Sequence, residues 1–279
     1  MRIRKLLIIG VTLLFALCLV TACGSNQEQP ETTPNDLGEV QTDTNMNEST
    51  NGQDVVNPVA GGNGYITITY GDGNLSVYDN ALPLHNEYGF PGTNYVITSV
   101  VGTEGKMTVS HLQEMEVAGW ETGSHSVNHE GFDTISEEQA EEEIIASAEW
   151  LEEQGLMHNS FSYPRGFVAL EDVVKDNYDM AVLNGNSLNF APVDKHKLVR
   201  VLFSGDNADQ VLNLADIAAE RNAWLIVYTH SVYPDTETPD EISVNVSDLE
   251  SLFNKIQTLN MQAVTLTEGA EIMWQIPKD

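Results

Sequence analysis

The chain has 279 residues, of which 41% are hydrophobic, and its 42 acidic and 12 basic residues give a formal charge of −30. This excess of acid argues against nucleic acid as a partner, because nucleic-acid binding depends on neutralising phosphates with Lys and Arg. It also argues against docking on anionic lipid or an anionic wall polymer, whereas a neutral or cationic glycan would not be repelled.

Residues 1–23 have the pattern of a secretion signal, in which basic residues precede an apolar run (6–20) and then small residues. The last four residues, VTAC, resemble a lipobox, which implies cleavage before Cys23 and attachment of lipid to that cysteine. An ordinary cleaved signal is the alternative. With lipid on Cys23 the protein would be anchored at the extracytoplasmic face of the membrane. The other cysteine, Cys18, lies within the apolar run, so the mature domain contains no intrachain disulfide.

Residues 24–62 contain no aromatic residue and consist mainly of Asn, Thr, Glu, Gln, Gly and Pro. Such a segment buries too little apolar surface to offset its ordering entropy, so we expect a disordered tether. A flexible chain of this length spans on the order of 35 Å. We expect one folded domain over residues 63–279.

From Tyr65 onward the hydrophobic pattern alternates between strand and helix signals. The strands are expected at 65–70, 93–102, 120–124, 160–164, 180–184 and 223–230, with a final strand and turn at 261–273. The helices are expected at 75–89, 108–119, 136–155, 169–178, 207–222 and 247–260.

The helix over 136–155 has the clearest boundary signals. Ser136 and Gln139 form a capping-box pattern, acidic residues fill the first turns, and Gly155 ends the helix. The helix over 108–119 is expected to begin at Thr108 or Ser110.

Strands that alternate with helices indicate parallel pairing through right-handed crossovers, and therefore an α/β sheet or barrel. Functional groups in such folds collect at the carboxyl ends of the strands. Three segments occupy such ends: YGDG (70–73), SHSVNH (124–129) and YTHS (228–231).

His125 and His129 are four residues apart, which on a helical turn would bring both imidazoles to one face and allow them to share a metal ion. Two surface histidines can have this spacing by chance. Asp72, at the end of another strand, would supply a third, oxygen ligand and leave a position open for water and substrate. His230 taken alone is more typical of a capping or half-buried histidine.

Four motifs occur in order along the chain: TYGDG (69–73), HSVNH (125–129), SYPRG (162–166) and YTH (228–230). Together they resemble the polysaccharide deacetylase family, also called carbohydrate esterase family 4, whose first motif is usually written TFDDG and whose second is H[ST]xxH. The likeness extends over roughly residues 63–275.

The resemblance implies a distorted (β/α) barrel that removes N- or O-linked acetyl groups from an extracellular polysaccharide. It further implies that Asp72, His125 and His129 bind one divalent ion, Zn²⁺ in the first place, with Co²⁺ or Ni²⁺ as alternatives.

The resemblance also assigns roles around the metal. His230 would be the general acid that protonates the leaving group, and the backbone N–H of Arg165 would help to hold the oxyanion. Tyr163 and Pro164 would form part of the groove wall. Arg200 would correspond to an arginine that tunes the catalytic aspartate.

One position departs from the family motif. The first aspartate of that motif is the general base, and the aligned residue in this chain is Gly71. A positioned base is worth about 10²–10⁴ in rate, so the substitution predicts an impaired site. Glu130 is a candidate replacement, followed by Asp133 and Asp79.

The alternative hypothesis is a catalytically inactive lipoprotein that binds glycan or assists envelope or matrix assembly. A solute-binding lipoprotein is a third possibility, which the ordered motifs disfavour.

Overall fold

A computed structural model of the chain describes residues 63–274. The expected signal peptide (1–23) with Cys23, the expected tether (24–62) and the last five residues (275–279) lie outside the described residues. Between residues 63 and 274 no helix is both long enough and apolar enough to cross a bilayer.

The described residues alternate between strands and helices, as the hydrophobic pattern predicts. The strands are β1 (Tyr65–Tyr70), β2 (Thr93–Val96), β3 (Glu121–Ser124), β4 (Ser160–Ser162), β5 (Met180–Asn184), β6 (Leu198–Leu202), β7 (Trp224–Thr229), β8 (Val232–Tyr233), β9 (Val244–Asn245) and β10 (Gln262–Ala263). The helices are α1 (Leu82–Tyr88), α2 (Val109–Val117), α3 (Glu137–Glu153), α4 (Glu171–Asn177), α5 (Ala208–Arg221), α6 (Val246–Leu259) and α7 (Leu266–Trp274).

Strands β1 to β7 pair in chain order, every pair is parallel, and β7 also pairs with β1 along its whole length. The sheet is therefore closed into a seven-stranded barrel with helices around it, and the expectation of a (β/α) barrel is confirmed. Strand β10 pairs with residues 65–66 and β2 with residues 69–70, so these two strands share one edge of β1. This shared edge makes the barrel irregular.

Strand β1 is buried on both faces, as the strands of a parallel barrel must be. Ile66, Ile68 and Tyr70 pack in one apolar cluster with residues of the surrounding helices. Tyr65 instead packs in a second cluster with Trp224 of β7. The alternation along the strand thus divides its side chains between two parts of the core.

Three of the predicted elements differ in the structure. The helix expected at 75–89 has a π-helical stretch (Val77–Ala81) before α1 begins. The second strand ends at Val96 rather than at 102, and a 3-10 turn (Thr98–Val100) follows it. The segment expected to be a final strand and turn contains only the two residues of β10 and then helix α7. Thr265 and Glu268 form reciprocal hydrogen bonds at the start of α7, a capping arrangement that the pattern analysis did not recognise.

Strand β6 and the short parallel pair β8–β9 were not predicted. Strand β6 spans only five residues, and its charged Arg200 interrupts the apolar run that would mark a buried strand.

Candidate metal centre and active site

The candidate ligands and His230 lie at one rim of the barrel, at the carboxyl ends of their strands. Asp72 follows β1, His125 follows β3 and His230 follows β7. Because these strands are parallel, their carboxyl ends meet at the same edge.

Asp72 lies in a strained loop. Its φ is 68° and that of Gly73 is 66°, so two successive residues adopt the left-handed conformation, which is costly for a residue with a side chain. Lys106 braces this loop, because its ammonium donates to the carbonyl of Asp72 at 3.0 Å and to Oδ1 of Asn74 at 2.7 Å. The loop therefore presents the Asp72 carboxylate to the rim at a conformational cost that other contacts offset.

His125 is 2% exposed, and its orientation is fixed by one hydrogen bond. Its Nδ1–H donates to the carbonyl of Ser162 at 2.8 Å. The bond leaves Nε2 without a proton, 3.8 Å from Oδ1 of Asp72. A histidine held in this way is a typical metal ligand, since its second nitrogen sets the tautomer.

His129 reaches the same place through a loop, and the expected helical turn is absent from residues 125–129. Ser126 and His129 have φ values of 64° and 58°, and the hydroxyl of Ser126 accepts from the backbone N–H of His129 at 3.0 Å. The prediction that both imidazoles converge is confirmed, but the stated reason, helical spacing, was wrong. The ring centroids of His125 and His129 are 4.5 Å apart.

The three side chains fit a divalent cation. One ligand atom from each of Asp72, His125 and His129 lies within 4.8 Å of the other two. Oδ1 of Asp72 lies 3.8 Å from Nε2 of His125 and 4.0 Å from Nε2 of His129, close enough for the three side chains to hold one ion. Oδ1 of Asp72 is buried and accepts no hydrogen bond from any described residue, so this oxygen lacks the partner that an ion would supply.

The electrostatic surroundings favour the metal-binding forms of both histidines. Burial lowers the pKa of His125 well below its usual range, and the nearby positive charge of Arg200 lowers it further. Burial also lowers the pKa of His129, although the Asp72 carboxylate opposes this shift. Both rings are therefore neutral near pH 7, the state in which imidazole binds a metal.

His230 lies beside Gly71. The N–H of Gly71 donates to the carbonyl of Thr229 at 2.9 Å, which joins the two loops directly above the β1–β7 pair. A Cβ placed on Gly71 would lie 2.9 Å from Cδ2 and 3.1 Å from Nε2 of His230. Burial lowers the pKa of His230, and the Asp72 carboxylate opposes this shift.

Comparison with protein families identifies this arrangement. Residues 59–180, which include all three candidate ligands, match the family model described as polysaccharide deacetylase. Over these residues the chain resembles the polysaccharide deacetylase family. His230 lies beyond the matched residues.

One relative shows the same resemblance. YxkH of Bacillus subtilis (strain 168), a polysaccharide deacetylase by name, is 26% identical over 123 residues, which are 42% of this chain and 43% of the relative. The chain thus spans less than half the length of that relative.

Two solved structures have the same fold. The Xyl-CE4 domain of a multidomain xylanase from the hindgut metagenome of Trinervitermes trinervoides superposes with a TM-score of 0.54 and 20% identity, over 75% of this chain and 90% of the domain. A family 4 carbohydrate esterase from Streptomyces lividans gives a TM-score of 0.52 and 13% identity, over 73% and 93% of the two chains. The expected distorted barrel of the polysaccharide deacetylases is thereby confirmed.

Arg200, on β6, is buried and only 2% exposed. Its Nε donates to Oδ1 of Asn184 at 3.0 Å, and its guanidinium lies 4.5 Å from the ring centroid of Tyr228. Its Nη1 is buried and has no hydrogen-bond partner among residues 63–274. The family role predicted for Arg200, tuning an aspartate, has no carboxylate to act on at position 71, because that residue is Gly71.

Arg165 has a φ of 55° within the turn that follows β4, so its backbone is held in a left-handed conformation. Its Cδ lies 3.4 Å from the Cβ position of Gly131, which places the turn against the loop that carries His129. This location is consistent with the predicted backbone contact to an oxyanion, which stays a prediction.

The prediction that Tyr163 and Pro164 wall a groove does not fit the structure. Both are buried. The ring of Tyr163 packs edge-on against Phe161 at 5.3 Å, within an apolar cluster beneath the loops. Alternation along β4 and the turn after it directs this side chain inward, which the motif alone does not reveal.

Glu130 is exposed and does not join the candidate ligands. It lines a cleft of about 500 Å³ together with Asn128 and Glu143, and none of the three ligand residues lines that cleft. The structure therefore gives no support to Glu130 as the replacement base. Asp79 lines another cleft, of about 400 Å³, beside Asn74 and Ser231.

Lys106 is the residue at the site that the sequence analysis missed. It belongs to no motif, and it contacts the Asp72 loop only because an isolated bridge pairs Asn74 with Lys106. A single lysine in a polar loop carries no signal of this role.

Proposed function

We propose that the protein is a metal-dependent deacetylase that hydrolyses N- or O-linked acetyl groups on an extracellular polysaccharide. The observation that carries the proposal is the convergence of Asp72, His125 and His129 within 4.8 Å at the rim that also bears His230. The match of residues 59–180 to the polysaccharide deacetylase family model supports the reaction class.

Asp72, His125 and His129 would hold the ion, and one oxygen with two imidazole nitrogens suits Zn²⁺ first and Co²⁺ or Ni²⁺ as well. A divalent ion held there would polarise the acetyl carbonyl and lower the pKa of an attacking water.

Three groups of the chain would transfer the protons and stabilise the developing negative charge. His230 lies at the same rim, where its ring can exchange protons with the reacting groups. The turn at Arg165 would direct a backbone N–H toward the oxyanion. The buried charge of Arg200 would make the rim more favourable for developing negative charge.

The substrate would be an acetylated polysaccharide that is neutral or cationic, because a chain of charge −30 repels polyanions. The acetyl group is the part of the substrate on which the site would act.

We also propose that the protein works outside the membrane, anchored through lipid on Cys23. The N-terminal sequence supports this location. Replacement of Cys23 by Ala would move the protein from the membrane fraction to the soluble fraction, and an unchanged distribution would contradict the anchor.

A second candidate function is favoured by one observation, the absence of a carboxylate at Gly71. In this second function the protein would bind the metal ion and acetylated glycan at the same rim of the barrel without hydrolysing the glycan. It would then act as an envelope or matrix lipoprotein.

Acetate release from a panel of acetylated glycans, with Zn²⁺ or Co²⁺ supplied, separates the two functions. A deacetylase releases acetate, and Asp72→Ala and His230→Ala abolish release, whereas the control His158→Ala does not. Metal-loaded protein that binds the glycans without releasing acetate would contradict the enzymatic proposal and support the second.

A further inference from the structure

Gly71 and His230 are neighbours because β1 and β7 are parallel and in register. Tyr70 pairs with Thr229, so the next residue of each strand continues the same row. The two positions therefore stand side by side at the rim, next to the Asp72 loop.

The His230 ring uses the space that any side chain at position 71 would need. The three heavy atoms nearest to an ideal Cβ on Gly71 all belong to this imidazole, at 2.9, 3.1 and 3.6 Å. Contacts below 3.0 Å are essentially absent for real Cβ atoms. Gly71 is not among the glycines with left-handed φ, so the backbone does not require glycine there. A side chain at position 71 would therefore force the imidazole to move from its present place.

The ring is also oriented by its other nitrogen. Nδ1 of His230 lies 3.2 Å from the carbonyl oxygen of Ile242, which can only accept a hydrogen bond. In the neutral ring Nδ1 therefore carries the proton and Nε2 has a free lone pair. Nε2 is the atom 3.1 Å from the position 71 Cβ, so a proton acceptor lies beside the position that the family motif fills with its base.

We propose that His230 acts as both general base and general acid, and that Gly71 is a positioning residue whose missing side chain admits the ring. This inference rests on the proposed deacetylase function. It replaces the interpretation of Gly71 as a simple loss of the base.

The proton transfers balance with a single imidazole. Nε2 takes one proton from the attacking water as the water oxygen bonds to the acetyl carbon. When the resulting tetrahedral adduct collapses, the bond from carbon to the leaving nitrogen or oxygen breaks, and Nε2 returns the same proton to that atom. The products are the free amine or hydroxyl and acetic acid, which ionises to acetate.

The test uses the metal-loaded protein with Gly71→Ala, Gly71→Asp and a matched control. Gly205→Ala is the control, because a Cβ there meets its nearest atoms at 3.6 and 3.7 Å, an ordinary contact. We expect Gly71→Ala to lower kcat about 10–100-fold, since misplacement of a catalytic group by about 1 Å has effects of this size. KM and bound metal should stay unchanged, and Gly205→Ala should match the wild type.

Gly71→Asp distinguishes this inference from its rival. If the site has merely lost its base, the aspartate raises kcat. If His230 occupies the position, the aspartate displaces the ring and lowers kcat at least as far as the alanine does. A rise in kcat with Gly71→Asp, or an unchanged kcat with Gly71→Ala, would overturn the inference while leaving the deacetylase function in place. No acetate release by the wild type would instead overturn the function.

A readout that does not depend on turnover is the tautomer of His230, measured by ¹⁵N NMR of histidine-labelled protein and assigned by the signal lost in His230→Ala. We expect a protonated Nδ1 and an unprotonated Nε2 in the wild type, with both shifts changed in Gly71→Ala and not in Gly205→Ala. A wild-type ring protonated at Nε2 alone would overturn the inference.

Discussion

The imidazole of His230 lies 2.9 Å from the point at which a side chain on Gly71 would begin. The glycine that departs from the motif at the end of β1 thus lies against the His230 side chain at the end of β7. In the motif, Gly71 takes the place of the aspartate that acts as the general base. In the barrel, Gly71 adjoins the His230 ring, so the effect of substituting Gly71 depends on His230.

The metal site is open to direct measurement. His125→Ala removes a buried candidate ligand whose Nδ1–H is held by the Ser162 carbonyl, so we expect binding to fall from about one Zn²⁺ per chain to near zero. Equilibrium dialysis with metal analysis gives the stoichiometry. His158→Ala is the control, because His158 is not part of the ligand group. Equal metal content in wild type and His125→Ala would place the ion elsewhere.

Lys106 should influence the metal without touching it. Lys106→Met removes the two hydrogen bonds that brace the strained Asp72 loop, so we expect the dissociation constant for Zn²⁺ to rise about tenfold. Isothermal titration calorimetry measures the change. Lys255→Met provides the matched control, because Lys255 pairs with Asp216 on α5, away from the loop. Equal affinities in the two variants would show that Lys106 does not position Asp72.

His85 should make the fold sensitive to acid. Its ring is fully buried, with Nε2 2.7 Å from the Tyr70 hydroxyl and Nδ1 3.0 Å from the Phe90 carbonyl oxygen. Burial lowers the pKa of His85 from 6.5 to about 3. Below pH 6.5 the unfolded chain takes up a proton at His85 that the folded chain does not. The free energy of unfolding therefore keeps its full value from this group above that pH and decreases as the pH drops toward 3.

The size of this effect is measurable by urea unfolding at pH 7 and pH 5. For one group with this shift, stability should fall by about 2 kcal/mol between these values. His85→Gln, which has no titrating ring, should lack that part of the loss even if it is less stable at both pH values. The same pH dependence in both proteins would show that His85 is not protonated on unfolding.

The capping box of α3 should contribute to stability as its pattern predicts. The Ser136 hydroxyl accepts from the N–H of Gln139 at 3.2 Å, and the Gln139 side chain accepts from the N–H of Ser136 at 3.1 Å. Ser136→Ala should lower the free energy of unfolding by about 1 kcal/mol in urea titrations. Ser251→Ala, in the interior of α6, should cost less, because that hydroxyl bonds only to a carbonyl within its own helix. Equal losses would assign no special role to the cap.

The sequence by itself determined the elements and the order of the site motifs. Helix α3 begins and ends where Ser136, Gln139 and Gly155 predict, and the candidate metal ligands follow the strands that the pattern indicated. These features depend on interactions within about five residues along the chain, which periodicity and capping rules describe directly.

Only the tertiary structure decided which distant groups meet. Closure of β7 onto β1 brings His230 against Gly71, inward packing of the β4 turn removes Tyr163 from the surface, and an isolated bridge brings Lys106 to Asp72. The contacts of His230 with Gly71 and of Lys106 with Asp72 join residues far apart in sequence, and all three arrangements form because the whole barrel must close and bury its strands. No local pattern contains that condition, so the sequence could give the ligands of the site but not the placement of its proton acceptor.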